Sequence, residues 1–182
     1  MIRMKPPKSP NGSKSSSSFD IMQLDGMQLE VVDLTTAQTQ PLRLSVLRAD
    51  VPTKVVTFDG DDLPTTFHLG LRVGGEIVAV SSWMQVRYPD RPNQPAYQLR
   101  GMASEAGRQR SGLGGALLTA GLRRCGEFDA TLVWARARDT AVNFYERNGF
   151  EVVGPGYIDL NTGLPHHDII RILTNRATTP AS

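Results

Sequence analysis

The sequence has one cysteine, Cys125, in 182 residues. No intrachain disulfide can form, and a chain of this kind fits a reducing, cytoplasmic compartment. It contains no run of 18 apolar residues, so no ordinary membrane-spanning helix is expected. Its N-terminus carries Arg3, Lys5 and Lys8 with no apolar stretch behind them, so a secretory signal is not expected either. Acid is missing from the first 19 residues, which hold four basic side chains; a formal charge of +2 for the chain leaves the remainder at −2. A folded part that is not basic argues against a nucleic-acid surface, which needs a clustered stripe of Lys and Arg. The one dense basic cluster, Arg100, Arg108 and Arg110, calls for a local explanation.

What is present is ordinary for a globular protein. At 40% hydrophobic and 21% charged residues, the chain is neither fibrous nor disordered throughout. Its length suits one compact domain. Residues 1–19, rich in Ser, Pro and Lys, cannot bury apolar area to offset ordering entropy and are expected to be a disordered tail. A single domain is expected over 20–173, with a flexible polar tail over 174–182.

Patterning predicts strands at 29–33, 65–73, 76–87, 97–103, 131–135, 150–153 and 167–173. Gly74-Gly75 is a hairpin turn between the second and third of these. A helix around 36–48 has Thr35 or Thr36 as its N-cap, with Pro41 forced into its first turns. Residues 49–64 are a loop with a brief extended piece at 55–58. Residues 154–165 are a second loop, with an extended piece at 157–160. Leu113, Ala116, Leu117 and Ala120 share one helical face, predicting a helix over 112–126 with Gly126 as its stop. A shorter helix follows Asp139 or Thr140 as cap and ends at Asn148-Gly149. Gly101, inside a strand, marks a bulge or a close backbone approach. The order β α β β β α β α β β, with hairpin-linked strands in the middle, predicts an α/β (α+β) fold: a mixed, mostly antiparallel sheet flanked by helices on both faces.

The sharpest local feature is Gln109-Arg-Ser-Gly-Leu-Gly-Gly115, directly after a strand and opening a helix. Helix starts present unpaired amides and partial positive charge, which favour bound phosphate. Arg108 and Arg110 add charge for a phosphorylated ligand. There is no Gly-Lys-Ser/Thr, which excludes a Walker A loop. The Gly112-Leu-Gly-Gly spacing is wrong for a dinucleotide fingerprint.

Gln109-x-x-Gly112-x-Gly114 resembles the acetyl-CoA signature of the GCN5-related N-acetyltransferase (GNAT) superfamily. Ala141-Val-Asn-Phe-Tyr-Glu-Arg-Asn-Gly-Phe150 looks like that superfamily's second hallmark. Within it, the stretches 97–103 and 134–138 and the late His166-His167 are most similar to small ElaA-type bacterial acetyltransferases. The resemblance covers roughly residues 29–173 and implies a sheet splayed between the strands at 97–103 and 131–135.

The resemblance implies further that Gln109, Arg110, Ser111, Gly112, Leu113, Gly114 and Gly115 hold the pyrophosphate of acetyl-CoA. Met102, Ala103 and Ser104 would pair with its pantetheine arm. Tyr145 matches the tyrosine that protonates the departing CoA thiolate, a role that is chemically sound because a phenolic O–H stabilises developing thiolate charge. Arg138 stands where the family often carries Asn, and reaches a CoA phosphate, the acceptor or solvent. Glu105, just after the strand, is the candidate base that frees the amine lone pair, directly or through water; His68 is a lesser one. A backbone N–H near Met102 or Ala103 would polarise the thioester carbonyl. A covalent acyl-Cys125 is disfavoured, because that residue lies late in a helix away from the loop. His68, Cys125, His166, His167 and Asp168 lack zinc-type spacing, so no metal site is expected. One of the two adjacent histidines is a candidate for the acceptor pocket, since neighbours on a strand point to opposite faces.

The expectation is an N-acetyltransferase using acetyl-CoA as co-substrate and a small-molecule or peptide amine as acceptor, with direct transfer in a ternary complex. It involves no nucleic acid and no membrane, and a homodimer is compatible with it. The alternative is a non-catalytic acyl-CoA-binding sensor or interaction module; a plain nucleotide-binding domain is a second.

Overall fold

The computed structural model describes residues 20–24, 26–108 and 111–174. The expected tail at 1–19, the one at 174–182 apart from Thr174, and Gln109 and Arg110 of the glycine-rich turn lie outside the described residues. The strands are β1 (Asp20–Leu24), β2 (Met27–Leu34), β3 (Phe67–Val73), β4 (Glu76–Met84), β5 (Ala96–Ser104), β6 (Leu132–Arg138), β7 (Glu151–Ile158) and β8 (Pro165–Ile172). The α-helices are α1 (Thr36–Leu42), α2 (Leu113–Glu127) and α3 (Asp139–Arg147). One sheet runs in the order β1-β2-β3-β4-β5-β6-β8-β7. Its pairs are antiparallel except β5–β6, which is parallel. The mixed, mostly antiparallel sheet is therefore as predicted, with β1 added at its edge as a hairpin to β2.

Strand alternation divides the core. Leu29 and Val31 of β2 join Leu69, Leu71 and Trp83 on the face covered by α2, whose Leu113, Leu117, Leu118 and Cys125 are buried there. Val32 and Leu34 point the other way, with Val80 and Ala103, against Leu42, Val46 and Leu47 of the first helical segment. Helices thus cover both faces. Gly121 of α2 sits so close to the Trp83 indole that a Cβ would lie 1.9 Å from it; no larger residue fits between helix and sheet.

Four elements depart from expectation. First, α1 starts at Thr36, not late. Thr35 makes a full capping box with Gln38, which fixes the start and leaves Pro41 in the helix interior. The turns after it widen into a π-helix over Arg43–Leu47, a rare form that bends a helix. Second, α2 runs through Gly126; Asp129 takes the left-handed conformation (φ 62°) instead. Third, α3 has Arg138 at its N-cap with no side-chain cap, and Asp139 in its first turn accepts a hydrogen bond from His167 Nδ1 at 2.9 Å. Fourth, 151–158 is a single strand whose register shifts between Val153 and Tyr157, across Gly154-Pro155-Gly156. No helix among the described residues is long and apolar enough to cross a membrane.

Candidate active site

β5 and β6 pair only from Ala96↔Leu132 to Leu99↔Ala135. Both strands continue, to Ser104 and Arg138, but their hydrogen bonding stops. The cause lies in β5. Against β4, Ser82 pairs with Arg100 and Val80 with Ala103, so Gly101 and Met102 together face one β4 residue. That is a β-bulge, which bends the strand. Gly101 has φ +58°, and a Cβ there would lie 2.7 Å from Arg43 Nε and from the Phe58 ring. Only glycine satisfies both the backbone angle and the contact. The sequence-level reading of Gly101 as a bulge is met, and the predicted splay opens beside it.

A cavity of about 470 Å³ fills the splay. Its floor is β5 from Gln98 to Met102 and β6 from Ala135 to Arg138; the loop over 53–59 and the β7–β8 hairpin wall it. Tyr145 of α3 reaches it from the helical side. Its hydroxyl donates to Met102 Sδ at 3.7 Å, a weak acceptor. Burial pushes its pKa up, so the phenol stays protonated and available as a donor. The ring is held edge-on by Phe144 and Phe150, at 5.0 and 5.4 Å between centroids.

The glycine-rich turn meets the start of α2. Gly112 is the N-cap, left-handed at φ +81°, with no side chain capping the helix. The first intrahelical bond runs from Ala116 N to Gly112 O, so the amides of the first turn before Ala116 are left for a ligand. Ser111 Oγ turns back to Arg108 O. Ala103 and Ser104 bond β4 on one side and, with Met102, lie beyond the last β6 pair on the other. Uncapped amides and a strand that runs on past its last β6 pair are features that suit a diphosphate and an amide-bearing arm.

The other predicted residues divide. Arg138 lines the cavity and donates from Nη2 to Leu47 O, at the end of the π-helix. Glu105 does not line it. Its half-exposed carboxylate pairs with Arg108 Nε at 3.0 Å, just past the bulged strand. His68 is likewise elsewhere. It is buried beneath α1, where Nδ1 faces Ser82 Oγ at 2.6 Å and Nε2 faces the Asp61 carbonyl at 3.0 Å. A carbonyl only accepts, so Nε2 carries the hydrogen, and the Nδ1 lone pair is taken by the Ser82 hydroxyl. Burial lowers its pKa, against the opposing pull of Asp61. His68 is thus part of a buried network built on Arg43. That guanidinium grips Asp61 with two hydrogen bonds of 2.7 and 2.9 Å and donates to Ser82 Oγ and the Val56 carbonyl. Cys125 is fully buried, which pushes its thiol pKa well up.

Of the two adjacent histidines, His166 is the one that lines the cavity; His167 lies on the opposite side, against Asp139. His166 Nδ1 lies 2.9 Å from the Leu164 carbonyl. The proton therefore sits on Nδ1 and the lone pair on Nε2. Tyr157 stacks on its ring at 6.2 Å between centroids. Asp159, Arg48 and Phe58 also line the cavity and were not singled out by sequence reasoning. Burial would raise the Asp159 carboxyl, but hydrogen bonds from Thr162 and Asn161, and nearby His166, outweigh it and hold the pKa low.

Comparison with known proteins gives a consistent result. The family model described as the acetyltransferase (GNAT) domain matches residues 64–169. YitI, an uncharacterized N-acetyltransferase of Bacillus subtilis (strain 168), is 26% identical over 126 residues, 69% of this chain and 85% of that protein. The crystal structure of Escherichia coli ElaA superposes with a TM-score of 0.63 at 19% identity, covering 79% of this chain and 99% of that one. An acyl-CoA N-acyltransferase from Pseudomonas aeruginosa superposes with a TM-score of 0.62 at 21% identity, over 79% and 99%.

Proposed function

The chain belongs to the acetyltransferase (GNAT) domain family, and on that premise we propose that it transfers an acetyl group from acetyl-CoA to a primary amine, directly, in a ternary complex. The observation that carries this is the end of β5–β6 pairing at Leu99 and Ala135, with the Tyr145 hydroxyl beside Met102 at the mouth of the gap. The pyrophosphate lies on the amides of Ser111 to Gly115, helped by Gln109 and Arg110. The pantetheine arm extends the sheet along Met102, Ala103 and Ser104, so the thioester arrives next to Tyr145.

The amine nitrogen attacks the thioester carbonyl, forming the C–N bond as the C–S bond breaks. A backbone N–H of Met102 or Ala103 polarises the carbonyl, and the Tyr145 O–H hydrogen-bonds the departing thiolate and protonates it. The attacking nitrogen must lose a proton. We assign its removal to His166 Nε2, which has a free lone pair and lines the cavity, in preference to Glu105, whose carboxylate is tied to Arg108 outside it. The reduced, buried Cys125 accords with a cytoplasmic setting for this chemistry.

The test measures acetyl-CoA binding by calorimetry and CoA release across a panel of small amines and amine-bearing peptides. Binding with amine-dependent CoA release is the expected result. Binding without release from any amine would favour the sensor reading instead, and absence of acetyl-CoA binding would overturn both.

A further inference from the structure

The cavity lining is unusually cationic for a site that must admit an amine. Arg48, Arg100, Arg136 and Arg138 line it, against Asp59 and Asp159. Arginines thus exceed acids in the lining by two. None of the four guanidiniums makes an ion pair among the described residues. Of the nearby acids, Asp61 is gripped by Arg43, Asp159 is held by Thr162 and Asn161, and Asp168, across the ladder from Arg136, takes the Tyr157 hydroxyl at 2.8 Å; Asp59 offsets part of the charge on Arg100.

The arginines also press on one another. Burial lowers the pKa of Arg100, and Arg136 lowers it further. Burial and then Arg138 do the same to Arg48. Asp61 and Asp59 oppose this at Arg100, and Asp159 opposes it at Arg48, yet four guanidiniums still outnumber the two acids of the lining, an excess that an anion relieves.

Resting on the acyltransferase reading, we propose that the acceptor is a small amine carrying its own anionic group, a carboxylate or a phosphate, which the cavity arginines hold. The walls and floor that contribute these arginines are those of the splay where the thioester would lie, so the anion is seated beside the reaction and not at the CoA pyrophosphate. The cavity of about 470 Å³ has room for a small amine beside the end of the pantetheine arm. The same charges act on the nucleophile: nearby cations disfavour an ammonium and lower its pKa, so the anchored amine is more readily neutral. A simple alkylamine gains nothing from the arginines and enters as a repelled cation.

The experiment compares matched acceptors by CoA release: amino acids against their carboxamides, and phosphoethanolamine against ethanolamine. The anionic member of at least one pair should have a kcat/KM about tenfold or more higher, since a charge-assisted contact contributes that much. Which pair responds tells carboxylate from phosphate. In the double variant R100Q/R136Q the preference should collapse through KM for the acceptor, with KM for acetyl-CoA unchanged. Circular dichroism and calorimetric acetyl-CoA binding establish that the variant is folded. Equal or better turnover of the neutral members overturns the proposal and leaves acetyl transfer standing, as does turnover of lysine-bearing peptides alone. CoA release from no acceptor at all removes both.

Discussion

Replacing Tyr145 with Phe tests the proposed proton donor. The substitution deletes one oxygen whose partner within the protein is the Met102 sulfur at 3.7 Å. Sulfur is a poor acceptor, so the folded protein loses little, less than about 1 kcal/mol, and sheds the cost of a half-satisfied buried hydroxyl. The ring contacts to Phe144 and Phe150 are kept. The catalytic loss should be larger. A hydrogen bond aimed at developing charge typically contributes a hundredfold to a thousandfold. A thiolate, from a thiol with pKa about 8.5, needs less help than an alkoxide, which puts the loss at the low end, about a hundredfold or 2.7 kcal/mol. It should fall on kcat, because the hydroxyl meets sulfur charge only as the C–S bond breaks. Steady-state CoA release at saturating acetyl-CoA, with thermal melting alongside, reads this out. Because burial raises the Tyr145 pKa, its ionisation should take no activity away between pH 7 and 10. A kcat within threefold of wild type, or a loss carried wholly by KM for acetyl-CoA, would refute the assignment.

Three further expectations separate site from scaffold. His166→Ala should lower kcat/KM for the acceptor about a hundredfold, the usual scale for a general base, with partial rescue by added imidazole, whereas Glu105→Gln should stay within threefold; a large loss in E105Q and none in H166A would return the base to Glu105. Asp61→Asn leaves the buried Arg43 uncompensated and should cost about 3 kcal/mol or more in urea unfolding at pH 7. In the wild type, the unfolded chain protonates before the folded one at both His68 and Asp61, whose folded pKa values are lowered. Stability should therefore fall as pH drops below about 6.5, and again below about 3.8; unfolding midpoints that hold level from pH 8 to pH 3 would contradict this.

The elements that periodicity controls were legible. The apolar face of α2, the Asn148-Gly149 end of α3 and the hairpin at Gly74-Gly75 are local, and the structure keeps them. The splay was expected from the family resemblance, while Gly101 by itself marked a bulge or a close backbone approach, and β5 shows both there. What could not be read is assembled across distance. The π-helical turns depend on a capping box that places Pro41 inside α1. The insertion of β8 between β6 and β7 decides that His166, not His167, meets the cavity. The arginine cluster draws on the end of the first helical segment, β5 and β6, and no window of sequence contains it. Glu105 looked near the reaction because it follows β5 closely; the bulge and the Arg108 ion pair direct it away.

One buried cation explains why the cavity has a wall at all. The loop over 53–59 has no regular structure, yet it lines much of the cavity. A loop without strand partners must satisfy its carbonyls some other way. Arg43 donates to the Val56 carbonyl at 2.8 Å, and Arg48 donates to the Val55 carbonyl at 2.7 Å. Both come from the widened turn after Pro41, which points two arginines at one segment. Arg43 also lies 4.5 Å from the Phe58 ring centroid, and Arg100 lies 4.4 Å from it. Phe58 thus joins a guanidinium fixed by Asp61 to one that faces the cavity. A packed hydrophobe in place of Arg43 would fill the volume beneath Gly101, but it would take the guanidinium donor from Ser82 and the Val56 carbonyl and leave the buried Asp61 carboxylate with only the Phe58 amide. The buried ion pair is better understood as positioning than as net stabilisation: it ties the loop to the bulge and, through Phe58, to Arg100 of the cavity floor.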